Sequence, residues 1–503
     1  MMRLSLIALL MCLVSAPCFG QNRVQKIDAV LTRLNTEEAF SGNVLISEKG
    51  KIIYEKSFGS ANAEERRSLT PDTMFLIGSV AKTFTAVAVL KLQEQGKLKL
   101  DDPLTKFLPE LPYQNVTLRQ LLTHTSGIQE YQSEEIVKEI AGKGADNAEL
   151  VRVFARLKPG QAFEPGSRWE YSNTNYIFLA LVVEKASGRS FPQFVRENIF
   201  APAGMARSFV GINNVPAALK KEIAAGYRLT NPLATAPVNV ATLEGARSAY
   251  ATKQNLYGAG NLYSTTRDLW KFHQALQRGK ILSKQSLALM YAPTRLASGA
   301  DYQPFARTNY PSKDALGWFV ADGTSGRVVY HPGGDIGYVS YFLRNMTRDQ
   351  SVIILSNIEL LRHNTPTALL RILNEEPYRL DLKSLANAMG REYNLRGTDA
   401  MLKLFQQLKG NDAYGFVEDE INELGYRLLY DKKDVAAALE VFQLNAAQFP
   451  ASFNVWDSLG EVYYRAGRIE EAIKNYEKSL QLNPNNEGGK RMLETIRREQ
   501  QKP

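Results

Sequence analysis

The chain has 503 residues, 44% hydrophobic and 22% charged, a globular composition in a chain too long for one compact core. Its formal net charge is +9, but the basic residues are scattered, so the charge indicates a mildly basic surface and argues against nucleic-acid binding. Both cysteines lie within the first twenty residues, which excludes a disulfide framework or a cysteine metal site in the rest of the chain.

The N-terminal segment has the layout of a secretory signal peptide. Arg3 gives a positive start, an apolar run follows, and Gly20 precedes the polar Gln21. The apolar run is too short to span a bilayer comfortably, and Cys18 lacks the preceding Leu-x-(Ala/Gly) of a lipoprotein signal. We therefore expect cleavage after Gly20 and a periplasmic or secreted product, with an uncleaved membrane anchor as the alternative.

Strand-like runs follow near the N-terminus and return late in the chain, with helical patterns between them. The predicted elements are, in chain order, a helix at 24–34, strands at 43–47 and 52–57, a helix at 79–95, helices near 118 and at 176–185, 191–200 and 267–277, and strands at 327–330, 338–344 and 351–356. Strands at both ends of a helical middle predict an α+β fold with one mixed sheet and an inserted helical region.

From about residue 380 onward the pattern is helix after helix, with an internal repeat at an interval of 34 residues (Ala438 to Ala472). The recurring positions are Ala438, Phe442 and Pro450, then Ala472, Tyr476 and Pro484, and the second copy adds Trp456, Leu459, Gly460 and Tyr463. This matches the tetratricopeptide pattern, in which small residues let paired helices pack closely. The repeats predict either a groove for a peptide or protein partner or a helical buttress, and the sequence leaves both open.

Ser79 and Lys82 form a Ser-x-x-Lys motif at the start of a predicted helix. Residues three apart share a helix face, so the lysine nitrogen can reach the serine hydroxyl. A serine hydroxyl is a poor nucleophile until a base takes its proton, and a buried lysine with a lowered pKa can be that base. The motif alone is a weak signal, because chance matches are common.

Two further motifs follow in order, Tyr-Ser-Asn at 171–173 and His-Pro-Gly-Gly at 331–334. Ser-x-x-Lys, then Tyr-x-Asn, then Lys- or His-x-Gly on a late strand is the order of the penicillin-recognising serine hydrolases. Residues 121–127 (Leu-Leu-Thr-His-Thr-Ser-Gly) and 260–268 strengthen the pattern. Over roughly residues 25–375 the chain resembles the β-lactamase-related family of class C β-lactamases, penicillin-binding proteins, family VIII esterases, D-aminopeptidases and D,D-carboxypeptidases.

The resemblance implies a β-lactamase/transpeptidase-like α+β domain, with an antiparallel sheet flanked by helices, followed by an all-α tetratricopeptide-like domain. It implies that Ser79 is the acylated nucleophile and that Lys82 and Tyr171 share the general base and acid work, with the Lys82 cation favouring the Tyr171 phenolate. The backbone N–H groups of Ser79 and Gly334 would form the oxyanion hole. The implied substrate-binding residues are Asn173, His331, Gly333 and Gly334.

The third motif departs from the family pattern at two positions. His331 replaces a lysine and is expected to be only partly charged near neutral pH. Pro332 stands where β-lactamases and carboxypeptidases carry a Ser or Thr hydroxyl that helps to bind the substrate carboxylate. These departures favour esters, or peptides that lack a free terminal carboxylate, over β-lactams. Of the other histidines, His124 is expected to bond nearby backbone, and His273 and His363 are expected at the surface.

The predicted organisation is a signal peptide (1–20), a serine hydrolase domain (21–378), a helical linker (379–418) and tetratricopeptide-like repeats (419–503, with copies at 419–452 and 453–486 and a capping helix). No Gly-x-Ser-x-Gly or His-Glu-x-x-His motif is present, so neither an α/β-hydrolase nor a metal or other cofactor is expected. The hypothesis is an exported hydrolase that forms an acyl-enzyme with a small ester or D-amino-acid amide or peptide substrate. The alternative is a weakly active or inactive penicillin-binding-like protein that holds cell-wall peptide and recruits a protein partner through its repeats.

Overall fold

The computed structural model describes residues 18–302, 304, 312–359 and 364–501. Apart from its last three residues, the predicted signal peptide lies outside these ranges, and so does His363. Contacts divide the chain into a mixed unit (1–227 and 239–380) and a helical unit (228–238 and 381–503). Among the described helices, none has the length and apolar character needed to cross a membrane.

The mixed unit is built on a seven-stranded antiparallel sheet. Its strands are β1 (Gly42–Glu48), β2 (Lys51–Phe58), β3 (Lys313–Asp314), β4 (Phe319–Gly323), β5 (Gly326–Asp335), β6 (Tyr338–Asn345) and β7 (Gln350–Ser356). The order across the sheet is β3-β4-β5-β6-β7-β1-β2, so the N-terminal hairpin completes a sheet made by the C-terminal strands. This confirms the predicted α+β fold, but the sheet is antiparallel rather than mixed, and β3 and β4 are absent from the predicted strands.

Helices surround this sheet and fill the insertion between β2 and β3. The helices of the mixed unit are α1 (Cys18–Glu38), α2 (Ala81–Glu94), α3 (Leu118–Leu122), α4 (Glu134–Ile140), α5 (Asn147–Leu157), α6 (Asn173–Ser187), α7 (Phe191–Val195), α8 (Ala201–Ala203), α9 (Ala217–Lys220), α10 (Glu244–Lys253), α11 (Thr266–Gln277), α12 (Lys284–Met290) and α13 (Thr365–Leu373). Short 3₁₀ turns lie at Gly78–Val80, Leu104–Lys106, Ile212–Asn214 and Val240–Thr242, and a π-helical turn lies at Arg196–Phe200.

The remaining strands are short. They are Ser60–Asn62, Arg67–Ser68, Phe75–Leu76, Phe209–Val210, Tyr227–Arg228, Val238–Asn239, Leu262–Ser264, Lys383–Ser384 and Tyr414–Gly415. Phe75–Leu76 and Phe209–Val210 both pair with Leu262–Ser264. This pairing matters for the site, because it fixes the chain just before Ser79 beside the chain just after Ala259.

Alternate residues of the central strands face two separate apolar cores, as the two-residue period of a strand requires. On one side Val44 and Ile46 pack in a cluster that also contains residues of α1 and α13. On the other side Leu45 belongs to the larger cluster that contains α2, α6 and α11. Helix α2 is buried on almost every side. The packing of this helix fixes the position of the preceding 3₁₀ turn, which carries Ser79.

The helical unit consists of α14 (Leu385–Arg396), α15 (Thr398–Leu408), α16 (Glu418–Tyr430), α17 (Val435–Gln448), α18 (Phe453–Arg465), α19 (Ile469–Leu482) and α20 (Glu487–Gln500). Small residues allow the paired helices to approach, since a Cβ on Gly425 would lie 2.7 Å from the Phe442 ring. Helices α14 and α15, in the segment predicted as a linker, contribute Leu385 and Met401 to the core of this unit.

Candidate active site

The Ser-x-x-Lys residues meet at the N-terminal end of α2. Ser79 lies in the 3₁₀ turn and Lys82 is the second residue of α2, so the i, i+3 spacing brings the Lys82 Nζ to 3.1 Å from the Ser79 Oγ. Ser79 is partly exposed, whereas Lys82 is fully buried. The lysine nitrogen thus reaches the nucleophile from inside the protein.

Two acceptor oxygens hold the Lys82 nitrogen. It donates hydrogen bonds to the Asn173 Oδ1 at 2.7 Å and to the Ala259 carbonyl at 2.8 Å. Burial lowers the pKa of Lys82 to about 7, although the Glu130 and Asp335 carboxylates oppose this shift. A neutral amine has two N–H donors and one lone pair, so with both donors engaged the lone pair is left for the Ser79 hydroxyl.

Glu130 fixes the orientation of Asn173. Its carboxylate accepts from the Asn173 backbone N–H at 2.5 Å and from the Asn173 Nδ2 at 3.3 Å. Because the carboxylate takes the Nδ2, the Oδ1 turns toward Lys82. The same contact satisfies a free N–H at the first residue of α6, where a negative charge is favoured by the helix dipole.

Tyr171 completes the cluster. Its hydroxyl lies near enough to the Ser79 side chain for Ser79 to influence its pKa, and the Lys82 Nζ lies 4.9 Å from the centre of its ring. Burial raises the pKa of Tyr171, and Ser79 opposes this only partly. The expectation that the Lys82 cation favours a phenolate is therefore wrong, because loss of solvation outweighs it. Tyr171 is a neutral phenol that can donate a proton.

His124 supports Tyr171 from behind. Its ring stacks on the Tyr171 ring with centroids 4.4 Å apart, and its Nδ1 accepts from the Ser172 backbone N–H at 3.1 Å. Burial lowers the pKa of His124 well below its ordinary value, so the ring is neutral. The predicted bond from His124 to nearby backbone is present, and the stacking contact adds to it.

Strand β5 runs beside the nucleophile. Pairing of β4 with β5 ends at Tyr330, so none of the described strands pairs with residues 331–335 on that side. Gly78 has a φ of +50°, and a Cβ there would lie 2.7 Å from the Gly334 carbonyl oxygen, so the turn and the strand approach closely. The backbones of Ser79 and Gly334, from which we expect the oxyanion hole, are therefore neighbours.

The two glycines of the third motif serve different purposes. A Cβ on Gly333 would lie 2.2 Å from the Ile77 carbonyl oxygen and 2.2 Å from the Ser340 Oγ, so this glycine is required for backbone packing. A Cβ on Gly334 would meet nothing within 4 Å. Of these two glycines, Gly334 lines the cavity at Ser79 and Gly333 does not, so the structure gives Gly333 a packing role in place of the implied substrate contact.

The surroundings of His331 disfavour its cationic form. It is 2% exposed, its ring packs on Phe319 with centroids 5.0 Å apart, and its Nδ1 lies 2.6 Å from the Pro332 carbonyl oxygen. Burial, with the Lys82 charge adding to it, lowers the pKa of His331 to about 3. The expected partial charge near neutral pH is therefore absent, because a buried imidazolium would lose its hydration.

Ser79 opens into a cavity of about 230 Å³. The cavity is bounded by Asn173, Gly334 and a set of residues outside the three motifs, which includes Tyr131, Tyr250, Lys253, Ala259 and Asp335. Lys253, the last residue of α10, forms an ion pair with Asp335, the last residue of β5. Sequence analysis did not identify the lining residues outside the three motifs, or Glu130. They belong to no motif and become neighbours only when the chain folds.

The β-lactamase family model matches residues 27–373, and a tetratricopeptide-repeat model matches residues 453–486. Penicillin-binding protein 4* of Bacillus subtilis is 33% identical over 342 residues, which cover 67% of this chain and 73% of that protein. The teichoic acid D-alanine hydrolase of Staphylococcus aureus is 30% identical over 262 residues, 52% of this chain and 59% of that protein.

Among solved structures, the octameric penicillin-binding protein homologue from Pyrococcus abyssi superposes with a TM-score of 0.59 at 26% identity, covering 70% of this chain and 78% of that one. The family model spans most of the chain and includes all three motifs. The predicted resemblance is confirmed: the chain belongs to the β-lactamase family and is a serine hydrolase with a C-terminal tetratricopeptide repeat.

Proposed function

We propose that this protein hydrolyses small esters or D-amino-acid amides through an acyl-enzyme on Ser79. The observation that carries the proposal is the coordination of the Lys82 nitrogen, whose two donors are taken by the Asn173 Oδ1 and the Ala259 carbonyl. The remaining position, 3.1 Å from the Ser79 Oγ, is that of a base.

In the first half-reaction the Ser79 hydroxyl gives its proton to the neutral Lys82 amine while its oxygen bonds to the substrate carbonyl carbon. The negative charge moves to the carbonyl oxygen, where the N–H groups of Ser79 and Gly334 stabilise it. Tyr171 donates a proton to the departing alcohol or amine, and Lys82 reprotonates Tyr171. In the second half the neutral Lys82 amine takes a proton from a water molecule whose oxygen adds to the acyl carbon. The bond from that carbon to the Ser79 oxygen then breaks, the free acid leaves, and the Ser79 oxygen receives the proton from Lys82.

The cavity favours a small acyl group without a carboxylate at its far end. Its volume of about 230 Å³ is below the usual range for drug-sized ligands. Among the described lining residues the one lysine is Lys253, and Asp335 neutralises it. Together with Pro332 and the uncharged His331, this supports D-alanyl esters or amides, in line with the D-alanine in the name of the 30% identical teichoic acid D-alanine hydrolase.

The proposal is tested by exposing purified protein to a fluorophosphonate and measuring the intact mass, with peptide mapping. A single adduct on Ser79 is expected. It should be absent in Ser79→Ala and present in Ser68→Ala, which changes an exposed serine of a short surface strand. Turnover of an ester by the Ser79→Ala variant would overturn the assignment. Folded protein that takes no adduct would favour the non-catalytic cell-wall peptide-binding alternative.

We also propose that the protein is exported by its N-terminal signal and that the helical unit binds a protein partner. Support for export comes from the charge and apolar pattern of the first twenty residues. Support for a partner comes from the matched tetratricopeptide repeat and from large apolar side chains left exposed on the unit, such as Tyr430 and Phe453. Export is tested by sequencing the N-terminus of the protein recovered from the envelope fraction. Partner binding is tested by pull-down with and without residues 419–503.

A further inference from the structure

The cavity has a second charged feature that the reaction at Ser79 does not use. The Asp335 Oδ1 accepts from the Lys253 Nζ and, at 2.7 Å, from the Ile336 backbone N–H. In the part of the chain that the structure describes, no hydrogen bond reaches the Asp335 Oδ2. Both side chains are partly buried, with relative exposures of 23% for Lys253 and 11% for Asp335.

Lys253 is held away from a substrate carboxylate. Its nitrogen lies 5.3 Å from the centre of the Tyr250 ring, and the Tyr250 hydroxyl donates to the Ile336 carbonyl. The end of α10 is therefore fixed against the end of β5, with the lysine charge directed at Asp335. A carboxylate entering the cavity would meet a cation that already has a partner.

A positive group entering the cavity meets the opposite situation. Asp335 offers an oxygen with no described partner, and the Glu130 carboxylate lies close enough to act on Lys82 as Asp335 does. Among the described residues that line the cavity, the charged ones are Lys253 and Asp335, which pair with each other, and the Glu130 carboxylate lies behind Asn173. The local field therefore favours a small ammonium group over a carboxylate.

The position of Asp335 along β5 suits the α-ammonium group of an aminoacyl donor. Asp335 follows Gly334, whose N–H we assign to the oxyanion hole, and successive strand residues are about 3.3 Å apart. An α-amino nitrogen lies about 2.5 Å from the carbonyl carbon of its own residue, from standard bond lengths and angles. A carbonyl held at Gly334 thus brings an α-ammonium within reach of the residue that follows.

We propose that Asp335, aimed by Lys253, binds the α-ammonium group of the acyl donor, so that the site selects aminoacyl esters and amides with a free amine over N-acylated or des-amino analogues. This rests on the proposed function of Ser79 for turnover, but binding of the amine can be measured without it. The substrate ammonium shares the Asp335 carboxylate with Lys253, taking the Oδ2 while the Oδ1 stays with the lysine.

The binding experiment uses the Ser79→Ala chain, in which no chemistry occurs. The affinities of D-alaninamide and of propanamide, which lacks only the amine, are measured by calorimetry or ligand-observed NMR. We expect the preference for D-alaninamide to fall roughly tenfold or more when Asp335→Asn is added, the loss of a charge-assisted hydrogen bond. Asp322→Asn, which removes an exposed carboxylate on β4, serves as the matched control.

The kinetic experiment uses the chain with Ser79 intact. The ratio of kcat/KM for D-alanine p-nitroanilide to that for its N-acetyl derivative should fall by a similar factor in Asp335→Asn, with circular dichroism and Ser79 labelling showing that the variant is folded. An unchanged preference in both experiments would overturn the role of Asp335. If the protein takes no label on Ser79 but Asp335→Asn still lowers its preference for D-alaninamide, the proposed reaction is overturned and the amine site is supported.

Discussion

Lys253 lines the cavity and Lys82 lies behind Ser79, and their surroundings give the two lysines opposite properties. Lys82 is fully buried, and burial lowers its pKa to about 7, while its nitrogen is held by a neutral amide and a backbone carbonyl. Lys253 is partly exposed and pairs with the Asp335 carboxylate. The first can release a proton near neutral pH, whereas the second neutralises a charge.

The comparison shows that the group bonded to a lysine nitrogen affects its pKa, and hence its role, as much as burial does. A carboxylate directly on the Lys82 nitrogen would favour the ammonium form and remove the base. Asn173 prevents this, because it places a neutral oxygen on Lys82 and keeps the Glu130 carboxylate one residue away. The buried cluster and the ion pair should therefore respond differently to substitution.

The largest effect is expected from Lys82. Lys82→Met should lower kcat/KM for an ester by about 10⁴-fold, the upper range for removal of a general base. Lys82→Arg should be as inactive, because a guanidinium stays protonated and cannot accept the Ser79 proton. Lys106→Met, which removes an exposed ion pair with Asp102, should keep wild-type kinetics. An active Lys82→Arg variant would contradict the role of Lys82 as base.

A smaller loss is expected at Tyr171. Tyr171→Phe keeps the ring that stacks on His124 but removes the hydroxyl next to Ser79, so kcat should fall about 10²- to 10³-fold, the range for loss of a general acid. The loss should be larger for an amide than for an activated ester, whose leaving group needs no proton. Stopped-flow measurement of leaving-group release for matched substrates tests this, and equal losses would argue against proton donation.

Much of this arrangement was predicted from the sequence because it is local. Ser79 and Lys82 lie on one helical turn, and Tyr171 and Asn173 are two residues apart, so periodicity and motif order were enough. The sheet was predicted where strands alternate, but β4 was missed, since Phe319–Gly323 is short and ends in polar residues.

What could not be predicted depends on contacts between distant segments. Glu130 reaches Asn173, and Lys253 reaches Asp335, only after folding. His273, expected at the surface, is buried on α11, where Arg344 of β6 donates to its Nδ1 at 2.7 Å. The predicted protonation states of His331 and Tyr171 are wrong for the same reason. Burial shifts the pKa of each side chain, and a sequence motif does not show how deeply a residue is buried.

His124 tests whether the buried cluster depends on positioning. His124→Asn tolerates the positive φ of 54° at this position but removes the ring stacked on Tyr171. We expect kcat to fall about tenfold, as for a lost aromatic pair, while KM changes little. Loss of thermal stability with unchanged kcat would show a purely structural role. Ser79 labelling rates, measured on the same samples, separate a misplaced Tyr171 from a damaged nucleophile.

The finest test concerns the carboxylates around Lys82. For the wild type, kcat/KM should rise with pH and level off above an apparent pKa of about 7, because Lys82 acts as a base only when deprotonated. Burial lowers the pKa of Lys82, and Glu130 and Asp335 raise it, so removing either charge should lower it further. Glu130→Gln and Asp335→Asn should each move the rise to lower pH, by up to about one unit. Asp322→Asn, far from the cluster, should leave the profile in place. A shift to higher pH in either cavity variant would mean that the titrating group is not Lys82, since no loss of a neighbouring negative charge can raise the pKa of an amine.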